Sequence, residues 1–219
     1  MANLTVQDVV EEKVEGGDQF LLARFRLGEM VAEVSYDTDT ISPRDDPHAN
    51  ATTLVLNGGR NYRFPCEVPQ TIWKEANSYT GLREVLEEKY HPLIIRPVYV
   101  YDHSGVSLRV GRDETNPFSV DREWDTALVG FAMITEEKYA QVFGTYEAPE
   151  TAILLDILDD EVETYGHYVN GDVYRFQVVN PTGDVVDSCG DYFSYEDAVQ
   201  EVKSALVSAA VTTSDLNVR

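Results

Sequence analysis

The chain has 219 residues, 43% hydrophobic and 11% aromatic, with 39 acidic against 17 basic side chains and a formal net charge of −22. That length and apolar content suit one large domain or two small ones with a proper core, and exclude a disordered chain. The charge repels phosphate backbones and anionic membranes, so no direct nucleic-acid or membrane binding is expected, and no apolar run approaches the roughly 18 residues of a membrane-spanning helix.

The opening MANLTVQDVVEEKVEGGDQ lacks the basic and apolar regions of a secretory signal. DQFLLARFRL (18–27) and MVAEVSY (30–36) predict two strands around Gly28. Residues 37–51 hold two prolines and Asp37, Asp39, Asp45 and Asp46, and are expected to form a solvated, mobile loop. Their spacing lacks the glycine and terminal glutamate of a calcium loop, so no metal is assigned. TTLVLNGGRNYRF (52–64) predicts a hairpin turning on Asn57-Gly58-Gly59, with no phosphate-loop pattern. TGLREVLEEKYH (80–91) predicts a helix capped by Thr80, with Leu82, Val85 and Leu86 on one face and Pro92 beyond its end.

LIIRPVYVY (93–101) and VSLRV (106–110) are strand-like and flank Asp102, His103, Ser104 and Gly105. Asp, His and Ser are the residue types of a hydrolase triad, but a triad needs side chains that converge, and neighbours in an extended chain point apart. The run reads as a turn. A polar loop (111–125) and an apolar central strand, ALVGFAMIT (127–135), follow. Thr135 begins a short helix with Glu136 and Glu137 in its first turn and Gly144 as its stop.

APETAILLDILDDEVETYGHYVNG (148–171) is expected to be the longest helix. It would bury 153, 154, 157, 158 and 162 and leave Asp156, Asp159, Asp160, Glu161 and Glu163 on one exposed side, near the 184–191 hairpin. DVYRFQVV and DVVDSC predict that hairpin, turning on Asn180-Pro181-Thr182-Gly183; Ser194 and Asp197 cap the last helix, and 212–219 reads as a frayed tail. The tally of seven or eight strands and about four helices, the helices mainly in the C-terminal half, predicts an α+β fold with a mostly antiparallel sheet. A β-rich region over 1–90 and an α+β region over 91–211 are expected within one compact unit.

His48, His91, His103 and His167 are scattered, and Cys66 and Cys189 lack metal spacing; the thiols read as buried in a reducing, cytoplasmic setting. No catalytic residue, metal or cofactor is assigned. A small hydrolase using Asp102, His103 or Cys189 stands as the rival reading. Charge is the stronger signal: residues 145–201 hold 14 acids and one base, Arg175. In that segment Tyr165, Tyr168, Tyr174, Tyr192 and Tyr195 alternate with carboxylates, which suits docking on arginines and lysines. The plainer reading makes the rings core and the acids a solvated edge. The candidate binding set is Asp156, Asp159, Asp160, Glu161, Glu163, Asp187 and Asp191, with Tyr165, Tyr168 and Tyr192.

The segments YVYDHSG, PFS…WDTALVGF…IT, YGHYVNGDVYRFQV and GDVVDSCGDYF resemble a family of small acidic proteins encoded by bacteriophages and mobile elements, over about residues 90–205. The resemblance carries no catalytic residues; it implies an accessory gene product acting inside a prokaryotic host cell. The functional expectation is an acidic, DNA-mimic-like protein that binds and inhibits a basic host protein, such as a nucleic-acid-handling defence complex. A viral accessory or structural protein whose acidity is only solvation is the alternative. Self-association is left open.

Overall fold

The computed structural model describes residues 4–14, 19–46, 48–58, 62–118, 124–147 and 149–216. The chain forms two compact units, one from residues 1–41 with 171–219 and the other from 42–170, inserted between them. The expected boundary at residue 90 lies inside the inserted unit.

The chain starts in the first unit with Val10–Glu12 (β1), Leu21–Leu27 (β2) and Met30–Tyr36 (β3). β2 and β3 pair antiparallel and reverse at Gly28, whose φ of 62° favours a residue without Cβ. The second unit runs Thr52–Leu56 (β4), Thr71–Ala76 (α1), Tyr79–Tyr90 (α2), Ile94–Asp102 (β5), Val106–Val110 (β6), Thr126–Ile134 (β7), Glu136–Phe143 (α3) and Thr151–Asn170 (α4). The chain then returns to the first unit as Tyr174–Val179 (β8), Val185–Tyr192 (β9) and Tyr195–Leu216 (α5).

In the first unit the strands lie in the order β1-β2-β3-β8-β9, all antiparallel. Alternation puts Ala23, Phe25, Ala32, Val34, Phe176 and Val178 on one face, where Ala198, Val202 and Leu206 of α5 cover them. In the second unit the order is β4-β7-β5-β6, again antiparallel. One face packs Leu54, Val98 and Leu108 against Leu154, Leu158 and Val162 of α4; the other packs Val55, Ile95 and Met133 against Ile72, Leu82 and Leu86 of α1 and α2. β4 is therefore buried at every position, and the uninterrupted apolar run of β7 has the same cause. Because α2 and β5 share this core, residue 90 cannot divide the chain.

The fold is α+β, with two antiparallel sheets and five helices among the described residues. Several local expectations shift. The 52–64 hairpin does not form as expected: the returning chain meets the free edge of β4 at the isolated bridge Val55–Cys66, where the Leu56 N–H bonds the Pro65 carbonyl and the Glu67 N–H the Leu54 carbonyl. Pro65, beside that bridge, has no N–H to extend a ladder. Residues 59–61 of the expected turn lie outside the described residues. The cap of α2 is Ser78, not Thr80; its hydroxyl accepts the Gly81 N–H at 3.0 Å. The longest helix is α5, at 22 residues against 20 for α4. It continues to Leu216, through most of the expected tail, and Val207, Ala209 and Ala210 extend its apolar stripe onto the core.

Tyr165 of α4 is 5% exposed, and burial pushes its hydroxyl up to about 12. A tyrosine in the unfolded chain ionises near 10, so above that pH the unfolded state loses a proton that the folded state keeps. Stability is full below pH ~10 and is lost as pH rises towards ~12. Tyr165→Phe is expected to remove about 2 kcal/mol of that alkaline loss. Urea unfolding at pH ~9.5 and ~11.5 measures it; an unchanged pH dependence refutes the assignment to Tyr165.

Candidate functional site

The acid-rich segment 145–201 is cut between the units at 170/171. Sequence counts give each unit the same formal charge, −11. The expected binding surface therefore divides: Asp156 to Tyr168 belong to one unit, and Asp187 to Tyr192 to the other.

On α4 the row Leu154, Leu158, Val162 faces the sheet; Ile157 is half-buried and Ile153, expected inside, is 48% exposed. The acids do not form one free face. Arg112, beyond the end of β6, bonds both Asp156 and Asp159. Glu161 turns inward: its carboxylate accepts the Ala51 N–H at 2.8 Å, the Thr52 N–H at 3.0 Å and Arg44 Nη1 at 3.0 Å. Asp160 and Glu163 stay exposed with no ion pair among the described residues. The expected five-acid stripe is reduced to two, because arginines distant in sequence fold onto the helix.

In the 37–51 segment Asp39, Asp45 and Asp46 are exposed, as expected of a solvated loop, but the chain is anchored by Arg44. Its side chain is 6% exposed and bonds Glu67 through Nε at 2.8 Å and Nη2 at 2.9 Å, Asn50 through Nη1 at 2.8 Å, Glu161, and the Thr52 carbonyl. All five guanidinium N–H groups are used. Burial opposes its charge, but the Glu67 and Glu161 carboxylates more than compensate and hold its pKa above the usual value. A lone arginine among aspartates in SPRDDP is the sequence signal; its partners lie 23 and 117 positions away.

The first unit presents its acids differently. In the β8–β9 turn Asn180 Oδ1 accepts the N–H groups of Thr182 (3.0 Å) and Asp184 (2.9 Å). The Thr182 hydroxyl, 2.7 Å away, keeps the Asp184 carboxyl below its ordinary pKa. At the far end Asp191 has φ 59°, accepts the Thr40 hydroxyl at 2.6 Å and donates its N–H to Asp37 at 3.2 Å. Ser194 Oγ then accepts the Asp197 N–H at 3.2 Å, opening α5 with Glu196 and Asp197 in its first turn, where the helix dipole favours them. Asp187 and Cys189 stand opposite Val178 and Phe176, so they share the α5 side of the sheet. Arg175 pairs with Ser35 in the alternate register and lies on the other face. Lys203 sits over the Phe25 ring, 5.0 Å from its centroid. Asp184, Asp187, Asp191, Glu196, Asp197 and Glu201 are exposed and form no ion pair among the described residues.

Tyr165 is core, and Tyr168, Tyr174, Tyr192 and Tyr195 are half-buried against the core of their own unit. Tyr165 is buried, with Tyr168 tilted against it at 6.0 Å, and Tyr192 packs on Phe176 at 5.8 Å. Tyr174 stacks on Tyr36 and meets Tyr195 edge-on. None is the projecting anchor that a docking role for Tyr165, Tyr168 and Tyr192 requires. Tyr192 still reports its surroundings: burial first, then Cys189 and the charges of Glu201 and Asp187, raise its pKa.

The triad residues diverge. Ser104, at φ 61°, and Gly105 make the β5–β6 turn. The Tyr62 hydroxyl bonds Asp102, whereas His103 Nδ1 lies 3.2 Å from Asp125. Cys189 belongs to the other unit and is exposed, not buried as expected; Cys66 is half-buried and accepts the Trp73 Nε1–H at 3.3 Å. Among the described residues no three His, Cys, Asp or Glu side chains are placed to hold a metal ion, and no helix is long and apolar enough to cross a membrane. The chain matches no family model, no curated protein and no solved structure.

Proposed function

We propose that this protein binds and inhibits a basic host protein by presenting the acids of the β8–β9 hairpin and the start of α5 where the partner otherwise holds a nucleic acid. The observation that carries the reading is the set Asp184, Asp187, Asp191, Glu196, Asp197 and Glu201, exposed with no base paired to them among the described residues. Turn, strand and helix backbone hold these carboxylates in place, so little freedom is lost on docking, and arginines and lysines are their natural partners. The resemblance to phage-encoded proteins implies the host-cell setting; inhibition is our inference from the acids.

The immobilised protein in a prokaryotic lysate at low salt is expected to retain nucleic-acid-binding proteins that elute with duplex DNA or with roughly 0.5 M salt. Retention of none rejects the reading. Asp187→Lys, Glu196→Lys and Glu201→Lys together are expected to weaken capture roughly a hundredfold while the far-UV circular dichroism is unchanged. If the folded triple variant binds like the parent, the hairpin is not the docking surface.

The equal division of charge between the units favours a second reading, in which acidity serves only solvation. It expects stability to rise with molar salt and no partner to be retained.

A further inference from the structure

A cleft of about 430 Å³ opens in the second unit where β5 ends and β7 begins. Tyr62, Tyr79 and Trp124 supply aromatic surface to it, and Asp102 and Asp125 supply two carboxylates. No lysine or arginine lines it among the described residues. Tyr62 is held by its bond to Asp102 and by stacking on Phe64 at 5.1 Å. Gly58 lies against Tyr62, and a Cβ there would stand 2.4 Å from the Tyr62 carbonyl oxygen. Tyr79 is braced edge-on by Trp73 at 5.9 Å. Trp124 is 96% exposed, an apolar surface that water solvates poorly and a ligand could cover. The hydroxyl on Asp102 is neutral, and among the described residues Asp125 has its one ion pair with His103.

We propose that this cleft binds an organic cation, the guanidinium of an arginine side chain, on the rings of Tyr62 and Trp124 and the carboxylates of Asp102 and Asp125. Aromatic faces attract cations through the ring quadrupole, and a planar guanidinium both stacks on a ring and forks onto a carboxylate. An anion would meet two carboxylates and the field of a −22 chain. A neutral ligand would strip water from two charges and return nothing for them. The volume suits one long side chain, not a helix or a strand. That the arginine belongs to a basic partner rests on the proposal above; the preference for an organic cation does not.

Both tryptophans, Trp124 in the cleft and Trp73 against Tyr79, belong to this unit, so emission reports occupancy. Titration of the full chain with tri-arginine is expected to give a saturable emission change that tri-glutamine does not. Asp102→Asn with Asp125→Asn should weaken it at least tenfold. Glu84→Gln with Glu88→Gln, an equal charge change on the exposed side of α2, should alter it less than twofold. Equal weakening by the two pairs would reduce the effect to the general field of the chain and overturn the site. So would equal responses to the two peptides, or saturation by a neutral trisaccharide. Tighter binding of spermidine than of tri-arginine would overturn the arginine assignment. Cation binding here without partner capture from lysate would reject the docking reading alone; capture that survives the Asn pair would detach the cleft from docking.

Discussion

Arg44→Met is expected to destabilise the 42–170 unit by about 3–5 kcal/mol at pH 7, the cost of leaving buried charge without its partner. The loss is large because one guanidinium closes four parts of the structure: the 42–51 segment through Asn50, β4 through the Thr52 carbonyl, the 66–68 segment through Glu67, and α4 through Glu161. Glu67 also accepts the Leu54 N–H at 2.9 Å, and Glu161 accepts those of Ala51 and Thr52, so neither carboxylate can swing out to water without orphaning backbone donors. Adding Glu67→Gln and Glu161→Gln should restore part of the stability, because no charge is then left unpaired at the site. Both tryptophans report on this unit, so urea unfolding followed by their emission measures it directly. A loss below about 1 kcal/mol would show that the network contributes little beyond solvated ion pairs.

Gly130→Ala is expected to cost about 3 kcal/mol or more, well above the usual penalty for filling a strand glycine. Gly130 lies in the central strand β7, opposite both Leu56 and Val98, with φ 149°. A Cβ there would stand 2.0 Å from the Val55 carbonyl oxygen and 3.0 Å from the Leu56 Cα. Those are backbone atoms of a strand buried on both faces, so neither side has room to give. The register of β5 against β7 also shifts at Val98/Tyr99, where the missing side chain lets the strands bend. Gly144 makes the comparison: it caps α3 at φ 71° with nothing within 4 Å of its Cβ position, and Gly144→Ala should cost only about 1 kcal/mol. Equal losses at the two glycines would mean that backbone conformation, not the clash with Val55, sets the penalty.

Much of this fold was legible because its signals are local. Gly28 between two alternating runs, Ser104-Gly105 between β5 and β6, Asn180–Gly183 before β9, and Thr135 with Gly144 around α3 each act within a few residues of chain. Such features reach their geometry in almost any tertiary setting, so pattern alone locates them. The β4 hairpin misled because Asn57-Gly58 is a genuine turn signal, but the chain rejoins the free edge of β4 later, at Cys66, beside a proline with no N–H to extend the pairing.

What the sequence determined by itself is the identity of most elements, though not of β1 or α1, together with the α+β class and the total charge. Which acids are free was decided only by the tertiary structure. Along the chain, residues 145–201 read as one negative block with a single base. In the fold that block is divided between two units, and arginines 44 and 112, from outside it, neutralise or bury Glu161, Asp156 and Asp159. The β8–β9 acids keep their charge because Arg175 sits on the opposite face of the sheet and Lys203 over Phe25. A charge's effect depends on distance through space and on burial, both set by packing between residues far apart in sequence.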